Sequence, residues 1–156
     1  MSTAQYVDEV AEREEFRRKH LNEGLFFKSL KTFPVIQRKL RGTAGAHFSL
    51  ADYKTIDAHI SEIPPGGHNN RHRHMNEAII YILSGRGHSV IQPPDGPEQR
   101  IDWEEGDLLS PPLNWWHQHF NDDPEKPARY LAITNVGLMT RLGLFTKEQW
   151  RPATDE

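Results

Sequence analysis

The sequence has no cysteine in its 156 residues. Disulfides and thiolate chemistry are therefore excluded, and any metal must be held by His, Asp or Glu. Long apolar runs are missing too. None approaches the roughly 20 residues that span a bilayer, so no membrane partner is expected. No basic-then-apolar leader opens the chain, and a cytoplasmic location is the expectation. An excess of positive charge is also lacking: 19 Lys and Arg stand against 22 Asp and Glu, a net −3 with His neutral. Nucleic-acid binding, which needs a basic face, is not expected.

What is there is a globular balance of 36% hydrophobic and 26% charged residues, in a length that suits one domain and its core. Histidine is abundant, with nine in the chain and six of them between His68 and His119.

Residues 1–32 read as an N-terminal helical arm. Ala4 to His20 contains AEREEFRRKH, with opposite charges at helical spacing. Val7, Val10 and Phe16 form a narrow apolar stripe, and Gly24 closes the region. Residues 33–144 read as strands and turns. TIDAHISEI (55–63) is a strand that Pro64-Pro65-Gly66-Gly67 breaks. AIIYILS (78–84) is apolar on both faces and is expected to lie centrally. Gly85-Arg86-Gly87 turns into 88–92, and Pro93 to Pro97 is a loop. Further strands are expected at 99–103, 107–110, 116–120 and 129–134. Residues 145–156 form a C-terminal tail with a short helix over Phe145–Trp150. Many short strands with regular turns predict an all-β fold, an antiparallel sandwich or barrel.

His72 and His74 are two apart, so in a strand both side chains face one cavity and Arg73 faces away. His117 and His119 repeat the arrangement. Two such strands side by side can place three or four imidazoles around one point. Neutral imidazole is a ligand for Fe, Zn, Cu, Ni and Mn, and three facial histidines leave positions open for substrate.

GHNNRHRHMNEAIIYILSG (67–85) and GDLLSPPLNWWHQHFN (106–121) resemble the two cupin motifs in content, order and separation. The resemblance implies an antiparallel double-stranded β-helix, the cupin or jelly-roll barrel, with one divalent metal and, by analogy, a homodimer. One position departs from the common pattern. The usual Glu ligand four residues after the second histidine is Ala78 here. Glu77 is one earlier, and strand parity turns it to the opposite face unless a β-bulge brings it to the metal or its surroundings. Ala at that position, with W-H-x-H-x-N in the second motif, is similar to gentisate 1,2-dioxygenase and its salicylate and hydroxynaphthoate relatives. That likeness gives His72, His74 and His117 the ligand role on Fe(II), and places His119 near the metal as a catalytic or supporting residue. Those relatives are two-cupin chains of more than twice this length. Single-cupin β-diketone dioxygenases, also three-histidine iron proteins, match it better in size.

A divalent ion on three neutral ligands keeps its +2 charge, which suits an anionic chelating substrate such as a hydroxy-aromatic acid or enolised β-diketone. The reading is thus a metal-dependent dioxygenase for a small molecule. A lyase, isomerase or hydrolase on Zn, Mn or Ni, and a binding or sensing cupin, are the alternatives. Trp115, His68, His88 and Arg129 are candidate pocket residues. A rim position is the plainer role for His68, core packing for His88 and a salt bridge for Arg129. Trp103 is expected at the surface, and His59, between Ala58 and Ile60, is expected to face outward. His20 and His47 show no pattern.

Overall fold

A computed structural model describes residues 4–8 and 10–152, with side chains from Val10 to Trp150. Two β-sheets face each other. The six-stranded sheet runs β1 (Ala4–Asp8), β13 (Lys147–Pro152), β6 (His72–His74), β11 (Trp116–Asn121), β8 (Arg86–Gln92), β9 (Gln99–Glu104). The second runs β10 (Leu108–Leu109), β7 (Ala78–Ser84), β12 (Ala128–Thr134), β5 (Asp57–Ile63), β4 (Thr43–Leu50), β2 (Leu21–Gly24), with β3 (Ile36–Arg38) also paired to β4. The pairings are antiparallel except β2 with β4. This is the expected jelly-roll barrel. No helix among the described residues is long and apolar enough to cross a membrane.

The expected strands from 55 onward form close to their predicted bounds, because turn residues flank each one. The N-terminal arm is different. Its helix α1 spans only Val10–His20, and Ala4–Asp8, with Val7, pairs as a strand with β13. Phe145–Trp150 is not helical; Lys147–Pro152 is β13 itself. Its Glu148 and Trp150 flank an inward Gln149, the alternation of a strand rather than the spacing of a helix. A short helix α2 lies earlier, at Val136–Arg141.

Ionic contacts seat α1 on the barrel. Arg13 and Arg17 both reach Asp57 of β5, at 2.6 and 2.8 Å, and Arg38 pairs with Glu12. Phe16 packs on the His47 ring at 5.4 Å, under the Arg38 guanidinium.

The second sheet is covered on both faces, and this decides which side chains meet the cavity. Ala46 and Phe48 of β4 and Ala58 and Ile60 of β5 turn outward, where Phe27, Leu30, Phe33 and Val35 pack over them. Phe48 lies 4.8 Å from Phe27 and 4.9 Å from Phe33, ring to ring. The opposite parity of those strands points His47 and His59 inward. His59 therefore does not face solvent as expected. Its apolar neighbours belong to a second apolar layer under residues 25–35, not to the barrel interior.

AIIYILS is not apolar-covered on both faces. Ala78, Ile80 and Ile82 are buried, while Ile79 and Tyr81 are 52% and 43% exposed. Its strand lies between the edge strand β10 and β12. Trp103 is also a correction: it is buried, 5% exposed, and packs with Ile82 and Tyr130 in the core. Gly87 is required where β8 meets β11, since a Cβ there would stand 1.9 Å from the Phe120 carbonyl and 2.5 Å from the Trp103 ring.

Candidate metal centre

β6 and β11 are antiparallel neighbours with His72 directly opposite His117. Strand parity sends His72, His74, His117 and His119 inward, and all four are buried. Arg73 and Trp116 point the other way and stack, guanidinium over ring at 4.8 Å. The rings of His72 and His117 are 4.3 Å apart and those of His74 and His117 are 4.8 Å apart. One ring nitrogen from each of His72, His74 and His117 lies within 4.8 Å of the other two.

The same hydrogen bond orients each of the three. His72 Nδ1 donates to the Asn70 carbonyl at 2.8 Å, His74 Nδ1 to the Asn76 carbonyl at 3.0 Å, and His117 Nδ1 to the Trp115 carbonyl at 2.8 Å. A carbonyl only accepts, so each Nδ1 carries the proton and each Nε2 keeps its lone pair, that of His72 accepting from the Arg41 guanidinium at 3.4 Å. That is the tautomer a metal ligand needs.

His119 differs. Its Nδ1 is 2.7 Å from the Ser89 hydroxyl, which also accepts a hydrogen bond from the Trp103 indole N–H at 3.0 Å. Indole can only donate. Ser89 is fully buried and His119 Nδ1 is the one acceptor its hydroxyl hydrogen meets among the described residues, so that hydrogen is directed to Nδ1 and the His119 proton is on Nε2. His119 meets the cavity as a donor, not as a lone pair. The buried Trp103 thus sets a tautomer in the site two strands away.

Burial is the main cause of low basicity in every one of these imidazoles. It pushes His117 down to about 4. His72, His74 and His119 are held well below the ordinary histidine value, first by burial and then by the charge of neighbouring histidines. All four are neutral at pH 7, the form that binds metal.

The donor set suits one divalent ion: three neutral imidazoles on rigid strands, with Ala78 on the cavity wall in place of a carboxylate. Glu77 is exposed, and its carboxylate accepts from Asn135 Nδ2 at 2.7 Å; no bulge turns it in. The cavity is small, about 40 Å³, room for roughly three water-sized centres. Among the described residues no carboxylate lines it, whereas Arg13, Arg41 and Lys147 do. Arg13 is offset by Asp57 at 2.6 Å. Arg41 is buried, 3.4 Å from His72 Nε2, and no carboxylate among the described residues pairs with it.

The other predicted pocket residues lie elsewhere. Trp115 contributes its carbonyl to His117, and its side chain does not line the cavity. His68 bonds the Asn69 carbonyl beside Gln118, outside the cavity. His88 stacks on Phe120 at 4.6 Å and binds Asp122 at 2.9 Å on the far side of β8. Arg129 bonds Glu62 at 2.6 Å and the Leu30 and Phe33 carbonyls, tying down the covering segment. A second metal-like group, His88 with Asp102 and Asp122, has Arg100 against both carboxylates. Arg100 thereby offsets one of its two negative charges without an ion. Asn121, the motif asparagine, is structural: its amide donates to the carbonyls of Ile63, Pro64 and Lys126.

The sequence reading missed Arg41, Lys147, His47, His59 and Ser89. Lys147 would have followed from reading β13 as a strand, since it is the register partner of His74.

Comparison with known proteins agrees with this geometry. The family model described as "Cupin domain" matches residues 59–134. That match takes in β5 to β12, with both histidine pairs. Over 95 residues it is 27% identical to a 1-hydroxy-2-naphthoate 1,2-dioxygenase of Nocardioides sp., covering 60% of this chain and 23% of that protein. Over 67 residues it is 34% identical to an acireductone dioxygenase of Bacillus cytotoxicus, covering 42% of this chain and 39% of that protein. The matched part of the chain thus spans well under half the length of these curated relatives. Among solved structures, a salicylate 1,2-dioxygenase from Pseudoaminobacter salicylatoxidans shares the fold with a TM-score of 0.62 at 12% identity, over 74% of this chain and 30% of that one. An oxalate decarboxylase structure shares it too.

Proposed function

We propose that this cupin is a metal-dependent enzyme in which His72, His74 and His117 hold one divalent ion, Fe(II) in the leading reading, for dioxygen-dependent cleavage of a small, anionic, chelating substrate. The observation that carries the reading is the shared Nδ1-to-carbonyl hydrogen bond. It leaves three Nε2 lone pairs converging on one cavity, with Ala78 where a carboxylate would cancel charge. The dioxygenase relatives support the choice of iron and oxygen.

A metal bound there would supply Lewis acidity and open positions for substrate and dioxygen. The protein's own groups do the rest. Arg41 and Lys147 line the cavity and attract and orient the substrate's anionic group. His119 presents Nε2–H as a hydrogen-bond donor to a developing negative oxygen. Ala78, Ile80, Ala132 and Val136 line the remaining wall and keep water few.

Anaerobic loading with Fe(II), followed by oxygen uptake with β-diketones, short 2-hydroxy and 2-oxo acids and hydroxy-benzoates, tests the proposal. Substrate-dependent uptake abolished by His117→Ala supports it. Full iron occupancy without uptake on any of these counts against it. The same neutral donor set also suits Zn, Mn or Ni, and turnover with Zn and without oxygen supports a lyase, isomerase or hydrolase instead.

A homodimer is also proposed. Ile79, Tyr81 and Ile133 leave an apolar outer face on the second sheet, 43–52% exposed, next to Leu25 and Phe26 at 83% and 73%. A second copy of the chain covering that face removes the exposed apolar area.

A further inference from the structure

Tyr130 brings a phenol to the histidine cavity. It alternates along β12 with Leu131 and Arg129, and strand parity turns it inward. It is 4% exposed and lines the same cavity as His72, His74, His117 and His119. Its ring packs with Ile82 and Trp103 and meets the His119 ring at 5.3 Å and 61°. The hydroxyl has no hydrogen-bond partner among the described residues. Unlike the Nδ1 atoms of His47 and His59, it is not closed off, and the space it meets is this cavity. A buried tyrosine hydroxyl normally finds a partner, so an open, unpaired one marks a place where a ligand atom belongs.

Several other polar groups of the wall are already engaged. Thr134 Oγ1 donates to Asp57, Asn76 Nδ2 to the Glu77 carbonyl, and Arg13 is paired with Asp57. Arg41 donates to His72 Nε2. His119 accepts from Ser89 at Nδ1, which leaves its Nε2–H without an acceptor among the described residues. Two donors, His119 Nε2–H and Tyr130 O–H, thus belong to neighbouring rings beside the three-histidine set. One residue fixes both: Trp103 holds His119 through Ser89 and packs against Tyr130 with its own ring. Donors fixed in advance stabilise most an oxygen on which negative charge develops during a reaction. The acceptor they call for is therefore a carbonyl or enol oxygen, which an apolar group cannot replace.

We infer that Tyr130 is a catalytic residue, whose hydroxyl joins His119 Nε2–H in donating to the substrate oxygen that gains negative charge. The inference rests on the proposed metal-dependent reaction and adds a second donor to it. The substrate class it favours is an enolisable carbonyl compound, a β-diketone or a 2-oxo acid. The phenol keeps its proton throughout; its part is the hydrogen bond.

The test compares wild type with Tyr130→Phe, which keeps the packed ring and removes the hydroxyl. Both are loaded with Co(II), whose visible absorption reports the metal, and titrated at pH 7 with acetylacetone, a chelating enol, by calorimetry. Imidazole is the control, since it binds a metal through nitrogen and offers no oxygen. Y130F should bind acetylacetone about tenfold or more weakly, with cobalt stoichiometry, imidazole affinity and Tm unchanged. Equal acetylacetone affinity in the two cobalt-loaded proteins would overturn the inference and leave the metal reading standing. An equal loss of imidazole affinity would overturn it as well, because it reports a disturbed metal set and not a lost donor. Wild type that takes up no cobalt overturns the metal reading and this inference with it. A second measurement needs no change at position 130. The chain has four tyrosines; with Tyr6, Tyr53 and Tyr81 replaced by Phe and the protein labelled with 3-fluorotyrosine, the one fluorine resonance should shift as acetylacetone binds. A resonance that does not move while acetylacetone saturates the metal would also overturn the inference.

Discussion

Acidification of the metal-free protein is the perturbation that the buried imidazoles make most informative. His117 falls from the ordinary 6.5 to about 4 in the folded protein because burial disfavours its charged form. The unfolded chain binds the proton near pH 6.5 while the folded one does not until near pH 4. Stability from this group is therefore fully present above about pH 6.5 and is lost as pH falls toward 4. For this one side chain the loss is about 1 kcal/mol at pH 5.5 and about 3 kcal/mol at pH 4. His47, His59, His72, His74 and His119 shift in the same direction. Their losses add to it in the same sense, against a total domain stability of roughly 5–15 kcal/mol. In a chain of this size each 1 kcal/mol moves Tm by roughly 2–4 °C. Thermal unfolding of metal-free protein between pH 7.5 and 5 should thus show Tm falling, by roughly 4–8 °C from His117 alone and further with the other rings. His117→Phe should flatten the slope. A Tm that stays level through that window would refute the claim that these rings are buried and neutral.

The remaining predictions concern single residues. Ser89→Ala removes the hydroxyl that orients His119 and leaves the buried Trp103 indole N–H unpaired. It should cost about 1–3 kcal/mol of stability in urea unfolding and lower turnover, with metal content unchanged. Glu77→Gln should leave metal stoichiometry and affinity as they are, because that carboxylate is exposed and bonded to Asn135. Ala78→Glu, by contrast, places a carboxylate on the cavity wall, and should tighten divalent metal binding while weakening anionic ligands, both readable by calorimetry. Ile133→Glu puts a charge on the proposed dimer face. Sedimentation should report a monomer for the variant and a dimer for the wild type; identical behaviour of the two rejects that face.

The barrel and its three central histidines were legible because their signals are local. Glycine and proline punctuate the strands, and the i, i+2 spacing of His72 with His74 and His117 with His119 fixes one face of each strand. Ala78 announced the missing carboxylate for the same reason of parity, and the structure keeps Glu77 outside. Illegible residues depended on packing that no short window contains. His59 alternates with apolar neighbours, and that rule misleads where both faces of a sheet are covered: here Phe27, Phe33 and Val35 bury the apolar parity and the cavity takes the polar one. Trp103 sits in a charged W-E-E-G-D segment that resembles surface, yet its ring fills the barrel and its N–H reaches Ser89. Arg41 and Lys147 come from a 3₁₀ turn and a terminal strand whose places in the fold are set by distant pairing partners.

Elemental analysis of protein purified without a polyhistidine tag, combined with anomalous diffraction at the metal edge, tests the central claim most directly. The expected result is one divalent ion per chain, bound by Nε2 of His72, His74 and His117 and lost in the His74→Ala variant. Protein that takes up no stoichiometric metal, or an ion bound instead at His88, Asp102 and Asp122, would contradict it.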